Sequence, residues 1–321
     1  MVLILVEHDH GTLNDLSLQA MALGRVLAAS LGEPLDSVVA GREGAPLAST
    51  LGAHGAATIH VADHEGLGDF APDAWAASIA DVIDRTHPSI VLATGTDRGN
   101  EVMARLAARL DLPLAANVTE VAPGDGFTLT RTRWGGSLLE DATLDAGVKL
   151  LTVQPHAVHA SPAEAPGAGA VEAFTPPLTE ADLLVRVIDR VERASDKISL
   201  ADAKVVVGGG RGVGDAAGFA ALEELADLLH GAVGCSRVVT SLGWRPHSDQ
   251  VGQTGQRIAP DLYIACGISG AIQHMVGCKS AKRLFVINTD PEAPILSQAD
   301  FAIIGDVRQV VPALTAALRS A

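Results

Sequence analysis

Short apolar runs alternate with stretches of helical periodicity along most of the chain, and this alternation leaves few folds open. Val2–Val6 reads as a strand. Asn14–Leu31 reads as a helix, because Leu18, Met21, Ala22, Val26 and Ala29 recur at helical spacing. Ser37–Ala40 and Thr58–Ala62 are short strands, and Pro72–Arg85 is a helix with proline where helices accept it, at the start. Ser89–Ala93 has the content of a buried strand, and Arg98–Leu110 is a helix that ends before Pro113. Strands alternating with helices predict a mainly parallel sheet covered on both faces.

The pattern changes at Phe127–Arg133, which alternates with period two as half-buried strands do. Gly135-Gly136 then turns the chain, and Val148–Val153 is a further strand, so an antiparallel edge is expected on the parallel sheet. Ala160–Pro177 is dense in alanine, proline and glycine and reads as a loop or linker without a core. Leu183–Val191 is expected to be a strand, and a second domain to open near Lys197–Ala203. The alternation then resumes. Strands are expected at Lys204–Val207, Leu262–Ala265, Arg283–Ile287 and Phe301–Ile304, and helices at Asp215–Leu229, Ser269–Val276 and Val307–Leu318. The expected fold is α/β in two domains. Residues 1–195 form a mainly parallel sheet with an antiparallel edge, and residues 196–321 a doubly wound parallel sheet with its ligand at the carboxyl ends of the strands.

A length of 321 residues suits two domains. With 38 acidic against 23 basic residues, the net charge of −15 opposes polyanions and argues against nucleic acid as a partner. Such a surface suits solubility, or docking against basic patches on other proteins. Cys235, Cys266 and Cys278 form no CxxC pattern and point to reduced thiols in a cytoplasmic compartment. The apolar start meets Glu7 at once, without a basic leader, and reads as a strand rather than a signal peptide. No apolar run approaches the roughly 20 residues of a membrane span, so no membrane insertion is expected.

Glycine and small polar residues concentrate in the last third. Gly208-Gly209-Gly210-Arg211-Gly212-Val213-Gly214 follows a strand and precedes a helix, a place where backbone amides attract a phosphate. Arg211 interrupts the glycines, so the spacing is not a clean GxGxxG, and a tight turn without ligand fits these residues equally well. Gln250-Val251-Gly252-Gln253-Thr254-Gly255 and Ala265–His274 flank an apolar strand with glycine, hydroxyl, amide and imidazole groups. Polar groups packed this densely beside a strand call for a ligand that satisfies them.

The ordered blocks Gly208–Gly212, Gly234-Cys235-Ser236-Arg237, Gln250–Gly255, Ala265–His274 and Ile287-Asn288-Thr289-Asp290-Pro291-Glu292-Ala293-Pro294-Ile295 resemble the alpha subunit of electron transfer flavoprotein. The N-terminal part is similar more loosely. The resemblance implies one FAD in the C-terminal domain. It implies that Arg211 contacts the FAD and that Ser236 and Arg237 lie at the isoalloxazine ring. The fixed charge of Arg237 would favour anionic flavin, each 1.4 kcal/mol shifting the equilibrium about tenfold. The alternative for Arg237 is a surface arginine paired with a neighbouring acid. Thr254 corresponds to a threonine near the reactive edge of the ring, with Gln250, Val251, Gly252 and Gln253 as its companions. Ser269, Gly270, Ala271, Ile272, Gln273 and His274 correspond to the segment around the ring and the phosphate-bearing chain. His274, if protonated, would add to the positive field. Asn288, and Asp306 with Val307, correspond to contacts at the adenosine end, although Asp306 also reads as a helix cap. Ser241 and Gln256 depart from the family, which commonly has an acid and a lysine there.

The resemblance further implies a beta subunit that shares the flavin site and carries AMP. Electrons would arrive from acyl-CoA or other dehydrogenases, as in fatty acid β-oxidation, and leave to a quinone oxidoreductase. The chain would thus be a carrier without substrate turnover of its own. The alternatives are a subunit of a bifurcating flavoprotein, a nicotinamide-dependent oxidoreductase on the same fold, and a nucleotide-sensing module built on the N-terminal domain. Glu7-His8-Asp9-His10 has metal-ligand residue types but no second cluster, so no metal is expected. Thr94–Gly99 also resembles a nucleotide-binding turn, but the family uses this domain as structure and partner interface, so no cofactor is assigned there. No GxSxG, P-loop or HExxH occurs, and no catalytic residue is assigned.

Overall fold

The computed structural model describes residues 1–124, 126–189, 198–200 and 203–320. The chain divides into two compact units, residues 1–192 and 193–321. The expected boundary at 195/196 lies outside the described residues, as do Lys197, Ala201 and Asp202 of the expected opening segment.

The first unit begins with β1 (Val2–Leu5), the short pair β2 (His8–Asp9) and β3 (Thr12–Leu13), and α1 (Ser17–Leu31). It continues through β4 (Leu35–Ala40), α2 (Ala48–Ala53), β5 (Thr58–Ala62), α3 (Pro72–Thr86), β6 (Ile90–Thr94) and α4 (Asp97–Leu110). The strands β7 (Leu114–Ala122), β8 (Thr128–Arg133), β9 (Leu138–Thr143), β10 (Lys149–Val153) and β11 (Ala170–Phe174) complete it. Among the described residues nine strands form one sheet in the order β11-β5-β4-β1-β6-β10-β7-β8-β9. Every pairing from β11 to β7 is parallel, and β7-β8 and β8-β9 are antiparallel. The central strands are apolar on both faces. Val2, Ile4 and Leu92 pack with Met21 and Leu27 of α1 on one side; Leu3, Leu5 and Val91 pack with Trp75, Ile79 and Met103 on the other. Full burial of such a side chain stabilises by ~1.5–3 kcal/mol. Helix starts follow local chemistry: Pro72 opens α3, and the Thr96 hydroxyl caps α4 by accepting from the Gly99 amide (2.8 Å).

Two expectations fail here. The Ala160–Pro177 stretch does not stay outside the sheet: β11 pairs in parallel with β5, because an edge strand needs only one partner and little apolar content. Leu183–Val191 is not a strand over its described part; a 3₁₀ turn spans Glu180–Leu183, held by the Thr179–Asp182 capping box and the Arg109–Asp182 ion pair. Residues 190 and 191 lie outside the described residues.

The second unit runs β12 (Val205–Gly209), α5 (Phe219–Leu228), β13 (Ala232–Cys235), α6 (Arg237–Ser241), β14 (Leu262–Cys266), α7 (Ile272–Cys278), β15 (Leu284–Asn288), β16 (Phe301–Ile304) and α8 (Val307–Arg319). Its five described strands are all parallel in the order β13-β12-β14-β15-β16. The chain winds to one side of β12 and then returns to the other, so the direction switches between β12 and β14. A crevice opens at the carboxyl end of such a switch point. Cores on both faces hold the sheet, one around Tyr263, Val286 and Ile295, the other around Phe219, Leu225 and Val311.

Candidate functional site

The loops leaving β12, β13, β14 and β15 surround a cavity of about 620 Å³, within the ~300–1,000 Å³ usual for small-molecule and cofactor sites. Arg211 lines it from the β12 loop, Ser236 and Arg237 from the β13 end, and Asn288 from the β15 end. Gln250, Val251, Gly252, Gln253 and Thr254 enter from a separate loop, and Ser269, Gly270, Ala271, Gln273 and His274 follow β14. Ile272, Asp306 and Val307 are not in this lining. Ile272 is exposed, Asp306 caps α8 by accepting from the Arg308 amide (2.9 Å), and Val307 is buried in the core beneath.

The glycine turn after β12 serves packing more than ligand capture. The Gly210 amide donates to Cys266 O (2.8 Å) and the Gly212 amide to Gly267 O (3.1 Å). A side chain at Gly210 would overlap the Gly267 carbonyl. These two amides are therefore spent, which favours the tight-turn reading of this segment over the phosphate-cradling one. The free donors lie after β14: the amides of Ser269 to Gln273 find no acceptor among the described residues.

The 250–256 loop closes on itself. Gln256 N donates to Gln250 O (2.7 Å) and Gly252 N to Gln256 O (3.2 Å). The Gln256 departure leaves this loop intact because its backbone makes both bonds. Gln250 Nε2 donates to Thr254 Oγ1 (3.0 Å), and Gln250 Oε1 lies 2.7 Å from the Thr240 hydroxyl. Thr254 Oγ1 thus accepts from the protein and keeps its own proton for a ligand. Asn288 is an anchor: its Nδ2 donates to Ile268 O (2.9 Å) and its Oδ1 accepts from the Asp290 amide (3.1 Å).

Charge is arranged unevenly. Arg245, Arg283, Arg308 and Arg319 of this unit each pair with a carboxylate. Arg211 and Arg237, both exposed at the cavity, have no carboxylate partner among the described residues. The alternative of a paired surface arginine therefore does not describe Arg237. His274 does not meet the condition set for it, protonation. It is buried, and burial, opposed by the Val251 backbone, pushes its pKa down to about 4. The ring is neutral at neutral pH and adds no positive charge.

Two buried side-chain atoms of cavity residues, Ser236 Oγ and His274 Nδ1, lack a well-formed hydrogen bond. Each such atom costs ~1–3 kcal/mol unless something satisfies it. Unpaired guanidinium groups, free amides and orphaned polar atoms together suit a ligand with an anionic pyrophosphate and a hydrogen-bonding heterocycle. FAD has both.

Sequence reasoning did not assign Gly212, Val238, Gly267, Ile268, Thr289, Asp290 and Ala293, which also line the cavity. All but Val238 lie inside a block already recognised, and Val238 directly follows one at a strand's carboxyl end, so the topology could have assigned them. Thr240 and Tyr263, which stand behind the lining, carried no such signal.

The first unit holds a smaller groove of about 320 Å³ where β1 and β6 end. Glu7 lies at its base, 3% exposed, accepting from the Thr96 hydroxyl (2.6 Å). Burial raises its pKa to about 7, against the lowering pull of Thr96, Arg98 and Asn14. The other members of the 7–10 run are engaged separately: His8 Nε2 meets Ala40 O (2.9 Å), and His10 meets Glu43 and Asp69. Among the described residues no three His, Cys, Asp or Glu side chains gather as a metal site. No described helix is long and apolar enough to cross a membrane.

A doubly wound sheet with an open cavity at its switch point, flanked by unpaired arginines, defines a dinucleotide-binding α/β protein. Residues 2–179 match the electron transfer flavoprotein domain, and residues 199–279 the electron transfer flavoprotein FAD-binding domain. The chain is 36% identical to an electron transfer flavoprotein subunit alpha of Clostridium acetobutylicum, over 100% of its own length and 97% of the relative's. It is 38% identical to that of Mycobacterium leprae (99% and 98% covered) and 35% identical to that of Bacillus subtilis (98% and 96%). The chain belongs to the electron transfer flavoprotein alpha-subunit family, and its second unit carries the FAD-binding domain.

Proposed function

We propose that the chain works as an electron carrier through the cavity of its second unit, paired with a beta subunit that completes the flavin site and binds AMP. Bound FAD supplies the redox chemistry. The chain supplies binding, orientation and electrostatics. Arg211 and the free amides of Ser269 to Gln273 hold the phosphates. Ser236, Arg237, Gln250 to Thr254 and His274 surround the ring, and Asn288 fixes the loop toward the adenosine end. Asp306 serves that end only from its capping position, and Val307 only through its backbone. Ile272 lends its amide, because its side chain faces away from the lining.

Arg237 sets a fixed positive charge beside the ring and raises its electron affinity, while Thr254 keeps a donor available. Electrons come from acyl-CoA or other dehydrogenases and go to a quinone oxidoreductase. The first unit serves as structure and partner interface. The observation that carries this reading is the pair of unpaired arginines at an open switch-point cavity, within the segment that matches the FAD-binding domain.

Co-purification with the beta subunit, followed by counting flavins and AMP, tests it. One FAD and one AMP per heterodimer are expected. A colourless assembled complex that refuses added FAD overturns the reading, and two flavins move it to the bifurcating form.

A further inference from the structure

The chain has a single tyrosine, and it is buried to 0% exposure behind the flavin cavity. Tyr263 lies in β14, and its hydroxyl is 2.8 Å from His274 Nε2. The strand beside it makes room for this pair: a side chain at Gly208 of β12 would overlap the Tyr263 hydroxyl. A glycine inside a strand weakens it and marks a close approach. Here the approaching group is the phenol.

Proton accounting at this contact has one solution. Tyr263 Oη has no hydrogen-bond partner other than His274 Nε2 among the described residues. A buried hydroxyl proton needs an acceptor. Nε2 must therefore be unprotonated, and the neutral ring carries its proton on Nδ1. A second proton on Nε2 would set two hydrogens face to face and strand the phenol's donor inside the core.

We propose that Tyr263 is a positioning residue that locks His274 as the neutral Nδ1–H tautomer, so that the fixed positive charge at the cavity comes from the arginines alone. Tyr263 cannot escape the lock by ionising, since burial, reinforced by Cys278, Cys266 and Cys235, raises its phenol well above the usual range. The titratable and charged groups around the ring are few. Tyr263 faces it from β14, and Cys278, whose Sγ lies 3.6 Å from His274 O, from one turn along α7. Arg211, Arg237 and Asp290 share the cavity lining. None of these charges supports a cationic imidazole; burial governs it. The lock stands on the Tyr263–His274 geometry. Its consequence, a flavin whose electron affinity does not follow histidine titration near neutral pH, rests on the function proposed above.

The test is ¹⁵N NMR of the histidine side chains in the full chain purified with its partner subunit, with and without FAD. A His274→Asn variant assigns the signal. Wild type is expected to show an unprotonated Nε2 and a protonated Nδ1, unchanged from about pH 5.5 to pH 8. Tyr263→Phe is expected to show exchange between the Nδ1–H and Nε2–H tautomers, with the ring still neutral across that window because its burial is unchanged. A wild-type Nε2–H signal, or wild-type titration in that window, overturns the proposal even if the variant fails to fold. A Tyr263→Phe spectrum identical to wild type also overturns it. A locked tautomer in a chain that takes up no FAD would support the lock while removing the flavin function.

Discussion

In the first unit the sheet reverses its winding between β1 and β6; in the second it does so between β12 and β14. Parallel sheets bind ligands at such a reversal, and both units have a depression there. The first unit's is about 320 Å³ with a buried carboxyl at its base, and the second's about 620 Å³ with glycine loops around it. In the first, the protein bonds polar groups at and beside the groove to one another. Thr96 bonds Glu7, Asn100 Nδ2 donates to Gly95 O (3.0 Å), and the Thr152 hydroxyl donates to Asn100 Oδ1 (2.7 Å). In the second, amides, a serine hydroxyl and two arginines are left over. One topology thus gives a self-filled crevice or a cofactor site, and the side chains at the strand ends decide which.

The most disruptive way to break this contrast is to fill the glycine contact that opens the second crevice. Gly210 touches the Gly267 backbone, and backbone cannot move aside as a flexible side chain can. Gly210→Ala is expected to destabilise the second unit by ~1–3 kcal/mol or more and to abolish FAD retention. Flavin absorbance after gel filtration, with a melting curve, checks it. Normal flavin content would show that the loops tolerate separation.

Glu7 sharpens the contrast from the other side. A rise from its ordinary 4.5 to about 7 corresponds to on the order of 3 kcal/mol. Because the folded pKa is raised, this stability is fully present below about pH 4.5 and is lost as pH climbs through about 7. Glu7→Gln keeps an acceptor for Thr96 and removes the titration. It should match wild type at about pH 5 and melt higher at about pH 8. Equal pH slopes in the two proteins would assign the effect to another group.

The arginines come next. Arg211→Ala and Arg237→Ala are each expected to weaken FAD binding roughly tenfold or more, the scale of a charge-assisted hydrogen bond. Arg237→Ala should also lower the flavin midpoint potential. Arg98→Ala, at the first unit's groove, should leave flavin content unchanged. Titration of the flavin-stripped complex with FAD measures all three, and a loss with Arg98→Ala would erase the difference between the crevices.

Much of this was legible in the sequence because parallel strands buried on both faces are nearly continuous apolar runs. Val2–Leu5 and Thr58–Ala62 read directly on that ground, and Phe301–Ile304 read directly from its apolar run although it is an exposed edge strand. The strands that escaped are the less apolar ones. Leu114–Ala122 mixes Asn117, Thr119 and Glu120 into its run, and Ala232–Cys235 is four small or β-branched residues between loops. Ala170–Phe174 hid in an alanine- and glycine-rich stretch because only its pairing with β5 makes it a strand. For the site, block order located the lining but not the charge state of His274. That depends on burial and on a phenol eleven residues earlier in the chain, which no local pattern encodes. The use of the Gly210 and Gly212 amides was equally hidden, since their acceptors lie on the last residue of β14 and the first after it.

Thr240 offers the finest test of how far the second crevice is built in advance. Its hydroxyl lies 2.7 Å from Gln250 Oε1 and 2.9 Å from Arg237 O, so it joins the loop that carries Thr254 to the helix that begins at Arg237. Gln250 is buried and has the two ends of its amide held, one by Thr240 and one by Thr254. Thr240→Val keeps the shape and removes one hydrogen bond, worth ~0.5–1.5 kcal/mol. FAD affinity should fall only a few-fold, since Gln250 retains its bond to Thr254. Gln250→Leu should fall further, because it frees Thr254 as well. If Thr240→Val costs as much as Gln250→Leu, the anchor is Thr240 itself and the Arg237 helix, not the glutamine, fixes the loop. If neither changes affinity, the Thr254 loop is ordered by its backbone bonds at Gln256 alone, and the crevice's preorganisation comes from glycine geometry rather than from side chains.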